Sequence, residues 1–194
     1  MFTYFRELDI TAAVKELRNL QSTLEAVYIS AGVFSFQSID NFTIDEFERT
    51  FTINTRAPFL LVSALIDRIR ADDTDVIFIN SAAGLLSYKG RPLYNASKSA
   101  LHSFTNDPRV ELAETRSRVI GIYPGMTDTD LAQKLPGGAP PKSKHAVIDP
   151  KILADYIVCT QQLPRTIEVS DIILDRKNTA RNVLVSDYES RGIE

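Results

Sequence analysis

The amino-acid sequence predicts one α/β domain over residues 1–194, built on a parallel sheet that carries helices on both faces. Short apolar runs of strand type alternate along the chain with longer stretches that have helical spacing. Small and polar residues directly follow several of these runs, at the position where α/β proteins bind their ligands. The strand-type runs occupy residues 2–8, 24–30, 75–80, 118–123 and 169–174.

Composition and charge restrict the partners of this chain. Its formal charge of −3 argues against nucleic acid and anionic membranes, which require clustered positive charge, and favours a small-molecule ligand. The longest apolar run, 57–66, is too short to span a bilayer, and the first residues lack a leader pattern, so we expect a cytoplasmic protein. Cys159 is the only cysteine, which predicts that the chain has no intrachain disulfide. The sequence contains only two histidines as well, so we expect no metal site.

The first helix is predicted over residues 11–20, after the strand-type run 2–8. Asp9 stands at its start, where a carboxylate can cap exposed backbone N–H groups. The second strand is followed by Ala31 and Gly32, and a glycine at this point lets the backbone approach a ligand closely.

A long helix is predicted over residues 43–71. Thr43 and Glu46 form a capping box at its start, in which each side chain satisfies an exposed backbone N–H group. Asn54 is the polar exception on the apolar line of this helix. A buried amide without a partner costs about 1–3 kcal/mol, so we expect the Asn54 side chain to be hydrogen-bonded.

The stretch 75–98 carries the clearest chemical signal. Ser81 ends the strand-type run, a glycine-bearing loop follows, and a helix then begins near Tyr94. Positions four apart lie on one face of a helix, so the Tyr94 hydroxyl and the Lys98 ammonium can point into one cleft. The helix is predicted over 94–112.

Pro108 lies within this predicted helix. Proline removes a backbone hydrogen bond and costs about 3 kcal/mol or more in a helix interior, so we expect a kink or break near residues 104–106. Because Pro108 is more than two turns beyond Lys98, the expected effect is on packing and not on the site.

The strand at 118–123 is closed by a turn that contains Pro124 and Gly125, with Thr127 and Thr129 directly after it. Residues 131–148 combine a short apolar helix with a loop rich in glycine and proline. Such a segment suits a lid over a substrate, and a plain surface loop explains it nearly as well.

The last predicted helix starts with Asp149 as its cap and Pro150 at its first position, and it extends to Gln162. The final strand follows it, and residues 176–194 form a C-terminal tail.

Taken in order, Asn54, Ser81, Tyr94, Lys98 and the Pro-Gly turn at 124–125 resemble the short-chain dehydrogenase/reductase family. Ser81 precedes Tyr94 by 13 positions, which matches the family, and the resemblance runs from residue 2 to about residue 175. It implies a Rossmann-like doubly wound parallel sheet and an NAD(P)-dependent oxidoreductase. The implied reaction interconverts a small alcohol or hydroxy acid and its carbonyl.

The resemblance also implies a role for each catalytic residue. Tyr94 would be the general acid in carbonyl reduction and the base in the reverse reaction. Lys98 would stabilise the Tyr94 phenolate and hold the nicotinamide ribose, and Ser81 would hydrogen-bond the substrate oxygen. Asn54 would fix a water for proton relay.

The cofactor implied is NAD or NADP. In the family, the residues that distinguish the two cofactors follow the second strand, for which this sequence has no counterpart, so the preference stays open. Asp9 resembles the family residue that contacts adenine, and its interpretation as a simple helix cap stays equally open. The implied cofactor-binding residues are Asp9, Ile10, Ala31, Gly32, Tyr94, Lys98, Pro124, Gly125, Thr127 and Thr129.

The chain departs from the family in two places. The family's Asn-Asn-Ala-Gly is here Ile29-Ser30-Ala31-Gly32, which lacks both amides. No G-x-G-x-x-G occurs, so the fold is expected to be truncated at its N-terminus, with the first two βα units absent. The resulting gap in the sheet could be closed by direct pairing of 2–8 with 24–30, by strands from another chain, or by the tail.

Two further alternatives follow from the missing glycine loop. The chain could be a catalytically impaired family member that acts as a binding or assembly protein, or a truncated gene product. Under either function we expect a homodimer or homotetramer through helices 43–71 and 94–112, which resemble the family's dimer-forming pair.

Overall fold

A computed structural model describes residues 10–19, 21–133 and 147–175. Helices and strands alternate along these residues, and a π-helical segment, Thr52–Arg56, and a 3₁₀ turn, Ala82–Gly84, complete the backbone. The elements in chain order are α1 (Ile10–Arg18), β1 (Ala26–Ile29), α2 (Ile44–Phe51), α3 (Ala57–Asp72), β2 (Asp75–Ile79), α4 (Pro92–Glu111), β3 (Arg118–Pro124), α5 (Asp130–Gln133), α6 (Pro150–Gln161) and β4 (Asp171–Leu174).

The four strands form one parallel sheet in the order β1-β2-β3-β4. The first residues of β1, β2 and β3 are in register, with Ala26 opposite Asp75 and Asp75 opposite Arg118, whereas β4 begins opposite Gly121 of β3. Parallel pairing requires each connection to cross over the sheet, and each crossover in this chain contains a helix. The predicted α/β fold with a doubly wound parallel sheet is confirmed.

Alternate residues of the central strands point into two apolar layers. Val76 and Phe78 of β2 face α3 and α4, where they pack with Leu65, Ile69 and Leu101. Ile77, which lies between them, faces α6 on the opposite side of the sheet. It belongs to a second apolar layer with Ile120, Ile122, Leu153 and Ile157. Helices therefore cover both faces, and β2 and β3 are buried along almost their whole length.

The predicted strands at 24–30, 75–80, 118–123 and 169–174 are confirmed, with ends that differ by one or two residues. The strand predicted at 2–8, most of the loop within 131–148, and the tail 176–194 lie outside the described residues. The proposed closures of the sheet gap therefore stay predictions. So does the assignment of residues 1–194 to one domain.

The helix predicted over 43–71 is interrupted. α2 begins after Thr43, whose side chain accepts a hydrogen bond from the backbone N–H of Glu46. This is one half of the predicted capping box; the other half is absent from the described hydrogen bonds, in which the Glu46 carboxylate pairs with Arg49. The backbone widens into a π-helical turn around Asn54 before α3 begins at Ala57. A π-turn adds one residue to a helical turn and rotates the side chains that follow it.

The break expected near residues 104–106 is wrong, because α4 continues through Pro108 to Glu111. Tertiary contacts hold the turn that contains the proline. Pro108 itself is buried, and the Arg109 guanidinium donates to the backbone oxygen of Val119 at 3.1 Å and to the Asp171 carboxylate at 2.6 Å. These long-range bonds offset the lost backbone hydrogen bond.

A buried ion network lies at the amino ends of β2 and β3. The Asp75 carboxylate accepts hydrogen bonds from Arg118 at 2.9 and 2.7 Å, and it also pairs with Arg165. Arg118 donates further to the backbone oxygens of Gln161 and Leu163 at the end of α6. One carboxylate thus joins two strands to the connection that leads into β4.

We expect Asp75→Asn to lower the free energy of unfolding by about 3–5 kcal/mol, because it leaves the Arg118 guanidinium buried without a counter-charge. Urea denaturation followed by circular dichroism measures this change. The matched control is Asp67→Asn, since Asp67 forms an exposed ion pair with Arg70 and should contribute no more than about 0.5 kcal/mol. Equal effects of the two substitutions would contradict the prediction.

Candidate active site

A cavity of about 580 Å³ opens at the carboxyl ends of the parallel strands. This is the position at which the sequence placed a ligand, and the loops that follow β1, β2 and β3 all reach it. Its lining includes Ser30, Gly32, Phe34, Asn80, Ser81, Tyr88, Arg91, Tyr94, Lys98, Pro124, Gly125, Met126, Thr127, Thr129 and Asp175.

Ser81 is fixed at the end of β2 by the turn that follows it. Its backbone is extended, and its Oγ accepts a hydrogen bond from the backbone N–H of Ala83 at 3.1 Å. Ser81 and Tyr94 both line the cavity. Two residues that are 13 positions apart in the sequence therefore meet in one cavity, as the sequence predicts.

Tyr94 lies in the first turn of α4, just after Pro92, which favours helix initiation. Its ring is 7% exposed and packs on Phe34, with ring centroids 4.8 Å apart. Burial raises the pKa of the Tyr94 hydroxyl, while the hydrogen bond with Ser81 and the positive charge of Arg91 oppose this rise. The Tyr94 hydroxyl therefore stays protonated at neutral pH.

Lys98 lies one turn further along α4 and is 3% exposed. Its Nζ donates to the backbone oxygen of Ile79 at 3.4 Å and lies 5.9 Å from the centroid of the Tyr94 ring. Burial lowers the pKa of Lys98 to about 8.

Asn54 does not line the cavity, but its side chain is hydrogen-bonded to segments that lead into the cavity wall. Its Oδ1 accepts from the backbone N–H of Val33 at 2.8 Å, and its Nδ2 donates to the Val33 carbonyl at 2.9 Å and to Ser97 Oγ at 3.0 Å. The sequence-based expectation that this buried amide is paired is confirmed. The contacts join the loop after β1, the π-turn and α4.

Two glycines allow close contacts beneath the cavity. A Cβ atom on Gly84 would lie 2.7 Å from the backbone oxygen of Lys98, so only glycine lets the turn after β2 pack directly on α4. A Cβ atom on Gly32 would lie 3.5 Å from both Lys98 Nζ and Asn54 Oδ1. Gly32 therefore lies directly beside the buried ammonium, and a Cβ atom there would make an ordinary van der Waals contact with it.

Seven of the residues that the sequence assigned to a cofactor line the cavity: Gly32, Tyr94, Lys98, Pro124, Gly125, Thr127 and Thr129. Ala31 is not part of the lining, Asp9 lies outside the described residues, and only the backbone of Ile10 is described, within α1. The apolar lining residues and the two threonine hydroxyls of this cavity fit a nicotinamide ring with its ribose.

Sequence reasoning missed four residues of this site. Asn80 donates to the backbone oxygen of Lys98 at 3.2 Å, and its position directly before Ser81 at a strand end was an available signal. Phe34, Tyr88 and Arg91 form one wall of the cavity. Nothing in the sequence pattern indicates that Phe34 reaches α4, because this contact joins segments far apart in the chain.

Within the described residues, no group of three or more histidine, cysteine or acidic side chains could hold a metal ion. No helix in the same part of the chain is long and apolar enough to cross a membrane.

Comparison with known proteins gives one family and several relatives. The family model described as short chain dehydrogenase matches residues 5–138. Cyclopentanol dehydrogenase from a Comamonas species is 30% identical over 157 residues, which cover 77% of this chain and 62% of the relative. Trans-4-hydroxycyclohexanecarboxylate dehydrogenase from Sinomonas cyclohexanicum is 30% identical over 140 residues, which cover 69% and 54%. The chain thus spans less than two thirds of the length of these relatives.

Solved structures share the fold. An alcohol dehydrogenase from Thermococcus sibiricus, complexed with 5-hydroxy-NADP, matches with a TM-score of 0.74 at 19% identity and covers 85% of this chain and 68% of its own. Serine dehydrogenase from Escherichia coli matches with a TM-score of 0.73 at 19% identity and covers 88% and 75%.

We expect Lys98→Met to be more stable than the wild-type chain at pH 7, by up to about 3 kcal/mol, because it removes a buried charge. The folded pKa of about 8 lies below the ordinary 10.5, so the folded state binds fewer protons between these values and wild-type stability rises with pH there. The difference between the two proteins should therefore shrink from pH 8 to pH 10.5. Urea denaturation across this pH range measures it.

The control for this experiment is Lys15→Met, on the exposed side of α1, which should change neither stability nor its pH dependence. A Lys98→Met protein that is less stable than wild type at pH 7 would contradict the cost assigned to the buried ammonium.

Proposed function

The chain belongs to the short-chain dehydrogenase family, and on this premise we propose that it is an NAD(P)-dependent oxidoreductase. The proposed reaction interconverts a small alcohol or hydroxy acid and its carbonyl compound. The observation that carries the proposal is the convergence of Ser81, Tyr94 and Lys98 on one cavity at the carboxyl ends of the strands. Relatives whose printed names state an activity are dehydrogenases and a reductase.

In the direction of carbonyl reduction, Ser81 Oγ donates a hydrogen bond to the substrate oxygen and Tyr94 transfers its hydroxyl proton to the same oxygen. A bound nicotinamide dinucleotide supplies the hydride for the substrate carbon. In the reverse direction the Tyr94 phenolate accepts the proton of the alcohol. Ser81 and Tyr94 line the same cavity, which is the support for assigning both hydroxyls to one substrate oxygen.

The protonation states favour reduction near neutral pH. Because burial raises the pKa of Tyr94, the hydroxyl retains the proton that reduction consumes. Oxidation requires the phenolate, so its rate should rise with pH as Tyr94 ionises. Lys98 is charged below a pH of about 8, where its ammonium can donate to ribose hydroxyls in the cavity that it lines.

The nicotinamide end of the cofactor would be held by Gly32, Lys98, the turn at 124–125, Thr127 and Thr129. The choice between NAD and NADP stays open. The alternative of an impaired binding or assembly protein finds no support among the relatives, whose names state enzymatic activities. A cytoplasmic setting remains part of the proposal, because a single cysteine gives the chain no intrachain disulfide to maintain.

The proposal includes assembly into a homodimer or homotetramer through the faces of α3 and α4. Phe59 stacks on Phe104 at 3.5 Å between ring centroids and yet remains 40% exposed, as does Leu60. Val110 is 78% exposed near the end of α4. Exposed apolar side chains on two adjacent helices favour burial against a second copy.

Size-exclusion chromatography with light scattering should therefore give a mass of at least twice the 21.7 kDa of one chain. Val110→Glu should shift the protein toward the monomer, whereas Val158→Glu, at an exposed site on α6, should not. A wild-type mass of 21.7 kDa would contradict the proposed assembly.

Tyr94→Phe should lower kcat by about 10²- to 10⁴-fold, because the ring keeps its packing but loses the proton donor. Turnover is measured with NADH and NADPH against a panel of small ketones and oxo acids, and with the oxidised cofactors against the matching alcohols. Tyr156→Phe, at a half-exposed site on α6, is the matched control and should retain full activity. Unchanged turnover in Tyr94→Phe would overturn the assigned mechanism.

Isothermal titration with NADH and NADPH separates the proposed enzyme from the binding protein. Submillimolar affinity for either dinucleotide supports the enzyme and excludes the alternative. The absence of binding at millimolar concentrations would contradict the proposed function.

A further inference from the structure

Arg91 lies in the wall of the same cavity, at the N-cap position of α4 and three residues before Tyr94. Its guanidinium carbon lies 4.8 Å from the ring centroid of Tyr88 and 5.4 Å from that of Phe34. Two aromatic rings thus hold the guanidinium. Arginine stacks on aromatic faces while its planar edge stays available for hydrogen bonds.

The hydrogen-bonding capacity of Arg91 is not used by the described parts of the chain. Its Nε is buried and has no hydrogen-bond partner among these residues, and no carboxylate of the same residues forms an ion pair with it. By contrast, Arg68, Arg109 and Arg118 each bind an aspartate and a backbone carbonyl.

A buried guanidinium N–H without an acceptor is unfavourable, which is a reason for such a group to be found where a ligand provides the acceptor.

The charges around Arg91 indicate what kind of ligand it accepts. Burial lowers its pKa, and the groups that act on it electrostatically are the hydroxyls of Tyr88 and Tyr94. Asp175 also lines the cavity but forms no ion pair with Arg91. A partly desolvated cation that faces the reacting tyrosine, with no counter-ion among the residues that the structure describes, favours an anionic substrate.

We propose that Arg91 binds the carboxylate of the substrate, and that this enzyme therefore acts on small oxo acids and hydroxy acids in preference to neutral ketones and alcohols. The inference rests on the proposed function, since that function places the reacting oxygen of the substrate beside Ser81 and Tyr94. The guanidinium edge matches both oxygens of a carboxylate, which fixes the orientation of the acid in the cavity.

The reaction remains balanced with the carboxylate as a spectator. In reduction, the hydride that the reduced nicotinamide would supply forms the new C–H bond at the carbonyl carbon, and the C–O double bond becomes single. The carbonyl oxygen takes the proton of Tyr94, which leaves a phenolate that solvent reprotonates. The products are the hydroxy acid and the oxidised nicotinamide, which the proposed function already includes.

The test compares the wild-type chain with Arg91→Met on matched substrates, 3-oxobutanoate and its methyl ester. Wild type should prefer the acid in kcat/KM. Arg91→Met should lower kcat/KM for the acid about 10- to 100-fold more than kcat/KM for the ester, with the difference expressed in KM. Arg91→Lys, which keeps the charge and loses the fork geometry, should fall between the two.

A readout that needs no turnover keeps the two proposals distinct. Propionate should raise the melting temperature of wild type in a concentration-dependent way, and propionamide should not. Arg91→Met should lose this response, whereas Arg116→Met, at an exposed surface site, should retain it. If wild type turns over no substrate yet shows this pattern, the proposed function fails and the carboxylate site stands.

Two results would overturn the carboxylate site. One is an equal loss of activity toward acid and ester in Arg91→Met, with a shifted pH profile, which would mean that Arg91 acts only on the ionisation of Tyr94. The other is a wild-type protein that shows neither a preference for the acid nor a response to propionate.

Discussion

The site depends on one close contact, between the turn after β2 and the backbone of α4. Gly84 approaches the Lys98 carbonyl without a Cβ between them, and Asn80 Nδ2 donates to the same oxygen at 3.2 Å. Ser99 Oγ donates to the Gly84 carbonyl at 3.2 Å and closes the contact from the other side. Because Ser81 leads into this turn and Tyr94 and Lys98 belong to this helix, the contact sets all three at once.

Around this contact, polar groups are buried at a cost in folding stability that a domain without an active site would not need. Lys98 is buried with one long hydrogen bond at 3.4 Å, and Tyr94 is buried with its hydroxyl against Ser81. The apolar layer of α3, α4 and the sheet provides the stability that offsets them. Sites that trade stability for a reactive arrangement are typical of enzymes, since burial and fixed neighbours tune the groups that react.

Polar side chains inside the fold serve to join segments. Asn54 uses both atoms of its amide to connect the loop after β1 with α4, and the π-turn aims its side chain inward. Asp75 does the same at the opposite end of the sheet, where it joins Arg118 and Arg165. A fully satisfied buried network specifies one arrangement, because every partial rearrangement leaves a polar group without a partner.

The sequence by itself determined the order of strands and helices, the parallel α/β class and the pairing of Tyr94 with Lys98. These features are set by local signals: apolar runs, the capping box at Thr43, the cap at Asp149 and the spacing of four on a helix. Tertiary structure alone decided that α4 continues through Pro108, that the helix at Asn54 widens into a π-turn, and that Phe34 and Tyr88 hold Arg91 beside Tyr94. The physical reason is distance along the chain. Contacts between residues dozens of positions apart leave no periodic trace in the sequence, and they override local propensity where they supply the larger free energy.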